Sequence, residues 1–243
     1  MLSTWISRSL SCLTLGTLMV QAGVTALGGV SAGQGDNLVL PQMFNLTSGD
    51  STVILQNLSA AQQDINVEFF SQDGSFFDLI TATLAGMGEA QVPTPAGPAG
   101  GFVGSVLIFG NAPYAARGQW NFNVGGTQFA VGVPTIPVRD ASTTFQMPVG
   151  TVGANSLVGV AIENPGATTI NCTVTYRDQN GQSVAEDAFP IAGFGQISEF
   201  ASGIGAGFEG SGTVTCNNGA TVAAVIQHQI NGFPTPLFAV AAN

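Results

Sequence analysis

The chain has 243 residues, with four arginines, no lysine and fourteen acidic residues, for a formal net charge of −10. Apolar residues make up 45% and charged residues only 7%, so the composition is not that of a disordered chain, and no basic stripe exists to neutralise phosphates. Neither a nucleic-acid partner nor polybasic attraction to anionic lipid is expected, and so few charges give little protection against self-association.

In chain order, the first feature is Arg8 followed by an apolar stretch from about Leu10 to Val20 and a small-residue site at Val24-Thr25-Ala26. That is the layout of a secretory signal peptide over residues 1–26. The apolar run is shorter than the roughly 20 residues a membrane span needs, so the sequence predicts cleaved export with no span afterwards. Ala32 is the alternative cleavage point. Gly29-Val30-Ser31-Ala32-Gly33 matches a nucleophile-elbow pattern, but that motif requires a strand–turn–helix setting and finds none here.

Beyond the leader the chain reads as strands punctuated by Gly and Pro. The first set is predicted at 38–43, 51–57, 64–71, 76–83, 88–92, 104–109, 115–124 and 127–133. The second is predicted at 143–149, 156–163, 169–177, 183–189, 195–200, 210–217 and 221–230, with a last strand at 236–241. The two sets are copies of one another. VILQN (53–57) returns as VAIEN (160–164), INVEFFSQDG (65–74) as CTVTYRDQNG (172–181), GFVGS (101–105) as GFEGS (207–211), and GVPT (132–135) as GFPT (232–235). Ordered self-similarity at one period defines a tandem repeat. Seven or eight short strands per unit of about 100 residues predict an all-β fold: two tandem immunoglobulin-like β-sandwich domains, at 37–136 and 142–243. PTIPVRDAS (134–142) reads as a short stiff linker. Asp73-Gly74 and Asn180-Gly181 predict tight type I′ hairpins. In GF-x-GS the glycines would permit a tight or bulged entry into a strand, with Phe102 and Phe208 each plugging one end of a core.

Two cysteines follow the leader, Cys172 and Cys216. Period-two alternation puts Cys172 on a face with Val174 and Tyr176, and Cys216 with Val214, so both can point into one core. Export permits a disulfide between them, the alternative being two buried thiols.

Candidate chemistry is sparse. His228, the only histidine, lies in a strand-like run and reads as a packed side chain. No EF-hand-type loop is present, and one His with two cysteines is too few for zinc. We therefore assign no catalytic, cofactor-binding or metal-binding residues, expect no cofactor, and do not expect an enzyme. Trp120 and Phe122 share a strand face and read either as a core stripe or as a sugar platform. The apolar end LFAVAAN (237–243) reads as the last strand of its own domain or as a strand donated to a neighbour. Trp120, Leu237 and Phe238 are accordingly the candidate partner-binding residues.

The N-P-G at Asn164-Pro165-Gly166, the R-D-x-x-G at Arg177-Asp178 to Gly181 and the GF-x-G motif resemble those of exported bacterial tandem β-sandwich repeat proteins, over residues 37–243. The first unit departs from them, with Asn57-Leu58-Ser59 and Phe70-Ser71 at the first two motifs. The resemblance implies an architectural or adhesive role outside the cell and carries over no catalytic residues. The function expected is thus an exported structural or surface protein that self-associates or adheres. The alternative is a carbohydrate- or protein-binding module.

Overall fold

The computed structural model describes residues 29–31, 33, 36–98, 101–124, 127–154, 156–228, 233–237 and 240–241. The predicted signal peptide and Phe238 lie outside the described residues. The first unit contains β1 (Gly29–Ser31), β2 (Leu38–Leu46), β3 (Gly49–Asn57), β4 (Gln63–Ser71), β5 (Phe76–Leu84), β6 (Glu89–Pro93), β7 (Phe102–Gly110), β8 (Tyr114–Val124), β9 (Thr127–Pro134) and β10 (Ile136–Pro137). The second contains β11 (Ser142–Thr151), β12 (Ser156–Glu163), β13 (Ile170–Asp178), β14 (Ser183–Ile191), β15 (Gln196–Phe200), β16 (Glu209–His228), β17 (Phe233–Leu237) and β18 (Val240–Ala241).

Each unit is an antiparallel sandwich. In the first, β5-β4-β7-β2 forms one layer and β6-β3-β8 the other, with β1 and β9 in line along the free edge of β8. Inward residues of both layers, among them Leu38, Leu55, Val67, Ile108 and Trp120, form one apolar cluster. The second unit repeats the plan with its own cluster around Met147, Ile162, Val174, Tyr176 and Val214. The fold is therefore all-β with two sandwiches and two cores.

The units differ where the chain changes layers. In the first, Asn111-Ala112-Pro113 separates β7 from β8, and proline cannot donate to a ladder. The second has Asn217-Asn218-Gly219 there, and β16 runs on unbroken for 20 residues, pairing with β13 and β11 and then with β12 and β17. The predicted strands 210–217 and 221–230 are thus one.

Two details add to the expected plan and one expectation changes. Ahead of Asn37, β1 pairs with Tyr114–Ala116 of β8 and so adds a short strand to the first sheet. The linker is held to the first unit: Ile136 and Pro137 pair with β2, and Arg139 makes an ion pair with Asp36. The hairpins at 71–75 and 178–182 are not type I′. Only Gly74 and Gly181 have positive φ, at 82° and 77°, and Gly74 N–H bonds back to Ser71 O as Gly181 N–H does to Asp178 O. Each is a type I turn closed by a left-handed glycine, with a register shift beside it at Phe69/Phe70 and Tyr176/Arg177. In the second turn the Asp178 carboxylate accepts the N–H groups of Asn180 and Gln182, which accounts for the acid of R-D-x-x-G.

Candidate functional site

One buried asparagine organises the same corner of each unit. Asn57 Nδ2 donates to the carbonyls of Ala61, Leu84 and Ala85, and its Oδ1 accepts Ser59 N–H at 2.8 Å. Asn164 makes the same set, to Thr168, Ile191 and Ala192, and accepts Gly166 N–H at 3.0 Å. Each asparagine thereby ties the loop after its strand to a turn of sequence A-G-x-G. These turns are Ala85-Gly86-Met87-Gly88 and Ala192-Gly193-Phe194-Gly195, a fifth repeated motif that strand patterns do not reveal. The first glycine is obligatory, since a Cβ would meet Ala60 O at 2.0 Å or Ala167 O at 2.2 Å. Met87 and Phe194 both sit at positive φ, 59° and 58°, where a bulky side chain is rare and costly.

The Phe194 turn is where the two units meet. Phe194 stacks on Phe70 of the first unit, ring centroids 5.4 Å apart and 21° from parallel. Gln196 N–H donates to Gln72 O at 3.1 Å, and Ser105 Oγ donates to Phe194 O at 3.3 Å. The first unit's hairpin lies so close that a Cβ on Gly74 would meet Gly193 O at 2.1 Å. Strand β2 completes the junction. Leu38 and Leu40 face the first core, while Val39, buried but in neither core, lies on the strand that contacts β12, β15 and β16.

This assigns GF-x-GS position by position. Gly101 and Gly207 have positive φ, at 90° and 86°. Phe102 is buried in the first core, and Phe208 packs on the second against Tyr176. At Gly104 and Gly210 a Cβ would strike the cross-strand carbonyl of Phe70 or Arg177 at 1.9 Å. The serine is the junction residue in the first copy.

Beside the junction lies a cleft with a cavity of about 170 Å³, bordered by Phe44, Trp120 and Phe122 from the first unit and by Ser198, Glu199 and Phe200 from the second. Gln42 Nε2 donates to Ser198 Oγ across it at 2.7 Å. Phe200 is 48% exposed. Trp120, by contrast, is 3% exposed, and its indole N–H is spent on Gln42 O at 3.0 Å. It belongs to the core stripe and offers the cleft only an edge, so it is not an open stacking platform. Leu237 ends β17, whose backbone pairs with Ala224 on β16 of its own unit.

Behind the cleft, on the face of β12 that looks toward the first unit, Glu163 is 4% exposed and accepts the Thr221 hydroxyl at 2.6 Å. Its register neighbour on β15 is Gln196, also buried. Burial pushes the Glu163 carboxyl from its ordinary 4.5 up to about 8, the Thr221 hydrogen bond acting in the opposite direction. The native state therefore keeps a proton that the unfolded chain has released. Stability conferred by this group is complete below about pH 4.5 and is lost as pH rises through about 8. Between pH 6 and pH 8 the second unit is expected to lose roughly 2 kcal/mol, read by urea denaturation, and Glu163→Gln to abolish that loss.

Ser31, of the elbow-like sequence, is buried in β1, donates its hydroxyl to the Asp36 carbonyl and accepts Gly33 N–H, a structural role. His228 ends β16, its backbone paired with Ser156 and Phe233. Among the described residues there is no group of three or more His, Cys, Asp or Glu side chains placed to hold a metal ion, nor a helix long and apolar enough to cross a membrane. Cys172 and Cys216 are joined in a disulfide.

No family model matches the chain, and no curated protein does. Among solved structures, a β-glucuronidase from glycoside hydrolase family 2 aligns at 11% identity over 89% of this chain and 25% of that one, with a TM-score of 0.17. The chain spans about a quarter of that protein's length, and a likeness this slight carries no argument about fold or activity.

Proposed function

We propose that this is an exported, non-enzymatic structural protein of the cell surface or extracellular space, which self-associates through its sandwich units. The observation that carries the reading is the junction itself. Two copies of one unit dock through backbone carbonyls, glycines and a stacked ring, so the unit is a module suited to meeting its own kind. The disulfide supports an oxidising destination. The position of β1 supports leader removal near Ala26, because cleavage after Ala32 would discard a strand of the first sandwich. The expected result is concentration-dependent assembly of the leaderless chain, measured by light scattering and viewed by electron microscopy. A monomer at every accessible concentration would refute the reading.

A second reading, a carbohydrate- or protein-binding module, is favoured by the aromatic cleft between the units. Its probe is Phe200, the exposed ring of that cleft. Glycan binding that is lost in Phe200→Ala, without loss of fold, would decide for it.

A further inference from the structure

We infer that copies of this chain join head to tail, the second unit of one copy docking on the first unit of the next as the first unit docks on the second within one chain. The inference rests on the self-association reading and specifies its partner and its surfaces.

The internal junction has a giving side, on the first unit, and a receiving side, on the second. The giving side comprises β2, on which Val39 and Pro41 are buried, with Phe70, the hairpin at Gln72–Gly74, and Ser105. The receiving side comprises the Phe194 turn and the β12 face that carries Ala161 and Glu163. Because the units are copies, each carries both sides, and the internal junction uses one of each. A giving side remains on the second unit, and a receiving side on the first.

Both remaining sides keep the turn geometry of the internal junction, while its stacked rings and Val39 are replaced. On the second unit, Ser211 stands at the Ser105 position and is half-buried, while Gly181 repeats Gly74 with the same positive φ and nothing within 4 Å of where a Cβ would lie. Pro148 repeats Pro41 but is exposed, as is Gln146 at the position of buried Val39. On the first unit, Met87 repeats Phe194 in the same left-handed conformation, held by the same N–H bond to the preceding loop (Met87 to Ser59 O, Phe194 to Gly166 O). Met87 is 60% exposed, so the first unit bears a costly backbone conformation that presents an apolar side chain to water. In the second unit that conformation aims Phe194 at its partner.

The substitutions between the copies are complementary in charge. Phe70 is replaced by Arg177 on the giving side, one of only four cations in the chain, and Gln196 by Glu89 on the receiving side. Both are exposed. Docking in the internal geometry would set Arg177 over Met87 and next to Glu89, Gln179 O against Glu89 N–H, and Ser211 Oγ against Met87 O. A contact between two different surfaces does not close on itself after one step, so copies add beyond the dimer, into a ring where the repeated rotation closes and an open chain where it does not.

The test uses the leaderless full chain and two variants, each altering one side. Met87→Asp changes the receiving side at an exposed residue, with a side chain that tolerates its φ. Gly181→Asn keeps the turn, since Asn accepts left-handed φ, but adds the Cβ that the contact has no room for. Each variant alone is expected to weaken association at least tenfold while leaving thermal unfolding unchanged. Mixed in equal amounts, they should form heterodimers and stop there, because each still carries the side that the other lacks. Arg177→Glu should also weaken assembly, and adding Glu89→Arg should restore it. Assembly that survives all three single substitutions would overturn the head-to-tail geometry while leaving self-association standing, whereas a wild-type chain that stays monomeric would overturn both. Should either first variant misfold, the charge-reversal pair alone decides.

Discussion

Replacing Asn164 by Ala is expected to destabilise the second sandwich by about 2–3 kcal/mol, and Asn57→Ala to do the same to the first. Each amide is buried, donates to a fan of carbonyls at 2.7 to 3.3 Å, and accepts one backbone N–H. Truncation leaves the Leu84 or Ile191 carbonyl unsatisfied in a buried setting, at a cost of about 1–3 kcal/mol, and the other backbone partners, which are only part-buried, recover water in its place. Asn→Asp is expected to be no better at neutral pH, because it exchanges the donor for a buried anion facing carbonyl oxygens.

The two effects can be read separately. Trp120 is in the first core and the only other tryptophan, Trp5, is in the predicted leader, so in the leaderless chain indole fluorescence follows the first unit. Asn57→Ala should shift the fluorescence transition in urea, whereas Asn164→Ala should shift the far-ultraviolet dichroism and leave the fluorescence midpoint nearly in place. Equal shifts of both signals by both variants would show that the junction makes the two sandwiches unfold as one. Asn164→Ala has a second consequence, because the turn it anchors carries Phe194. Loosening that turn should also weaken the stacking on Phe70.

Much of this fold is legible in the sequence, because alternation and turn residues act locally. The strand at 170–178 shows its buried face in Cys172, Val174 and Tyr176 without knowledge of its neighbours. The recurrence of VILQN and VAIEN points to Asn57 and Asn164, though not to what they bind. Their partners lie about thirty residues away in a turn whose defining letters are two glycines, and glycine pairs are common. The serine of GF-x-GS was equally opaque, since a hydroxyl that crosses to another unit leaves no periodic trace. Trp120 illustrates the opposite difficulty. Its spacing with Phe122 fits a stripe or a platform, and only burial separates the two. Turn type failed for a local reason: Asp-Gly and Asn-Gly suit two turn geometries, and the extra bulged residue that selects between them is set by strand register.

Removing the disulfide is expected to cost the second unit roughly 4 kcal/mol, from the entropy returned to an unfolded chain whose linked residues are 44 apart. The bridge lies within one sheet: Cys172 on β13 is the register partner of Cys216 on β16. It thus differs from the bridge between sheets that marks antibody domains. The first sandwich supplies the control, because the same ladder position there is Ile65 opposite Gly110, and Ile65 is fully buried in a core that closes without a crosslink. The double variant Cys172→Ala with Cys216→Ala should therefore still fold, with a lower midpoint by dichroism and an unchanged one by Trp120 fluorescence. Both sulfurs belong to nearly inaccessible residues, Cys172 at 1% and Cys216 at 5% exposure. Reductant alone should then act slowly on the native protein, its rate rising with urea as the second unit opens. Rapid reduction in the absence of urea would mean that β13 and β16 separate locally at that end, and the 4 kcal/mol would have to be reassigned to a smaller, local constraint.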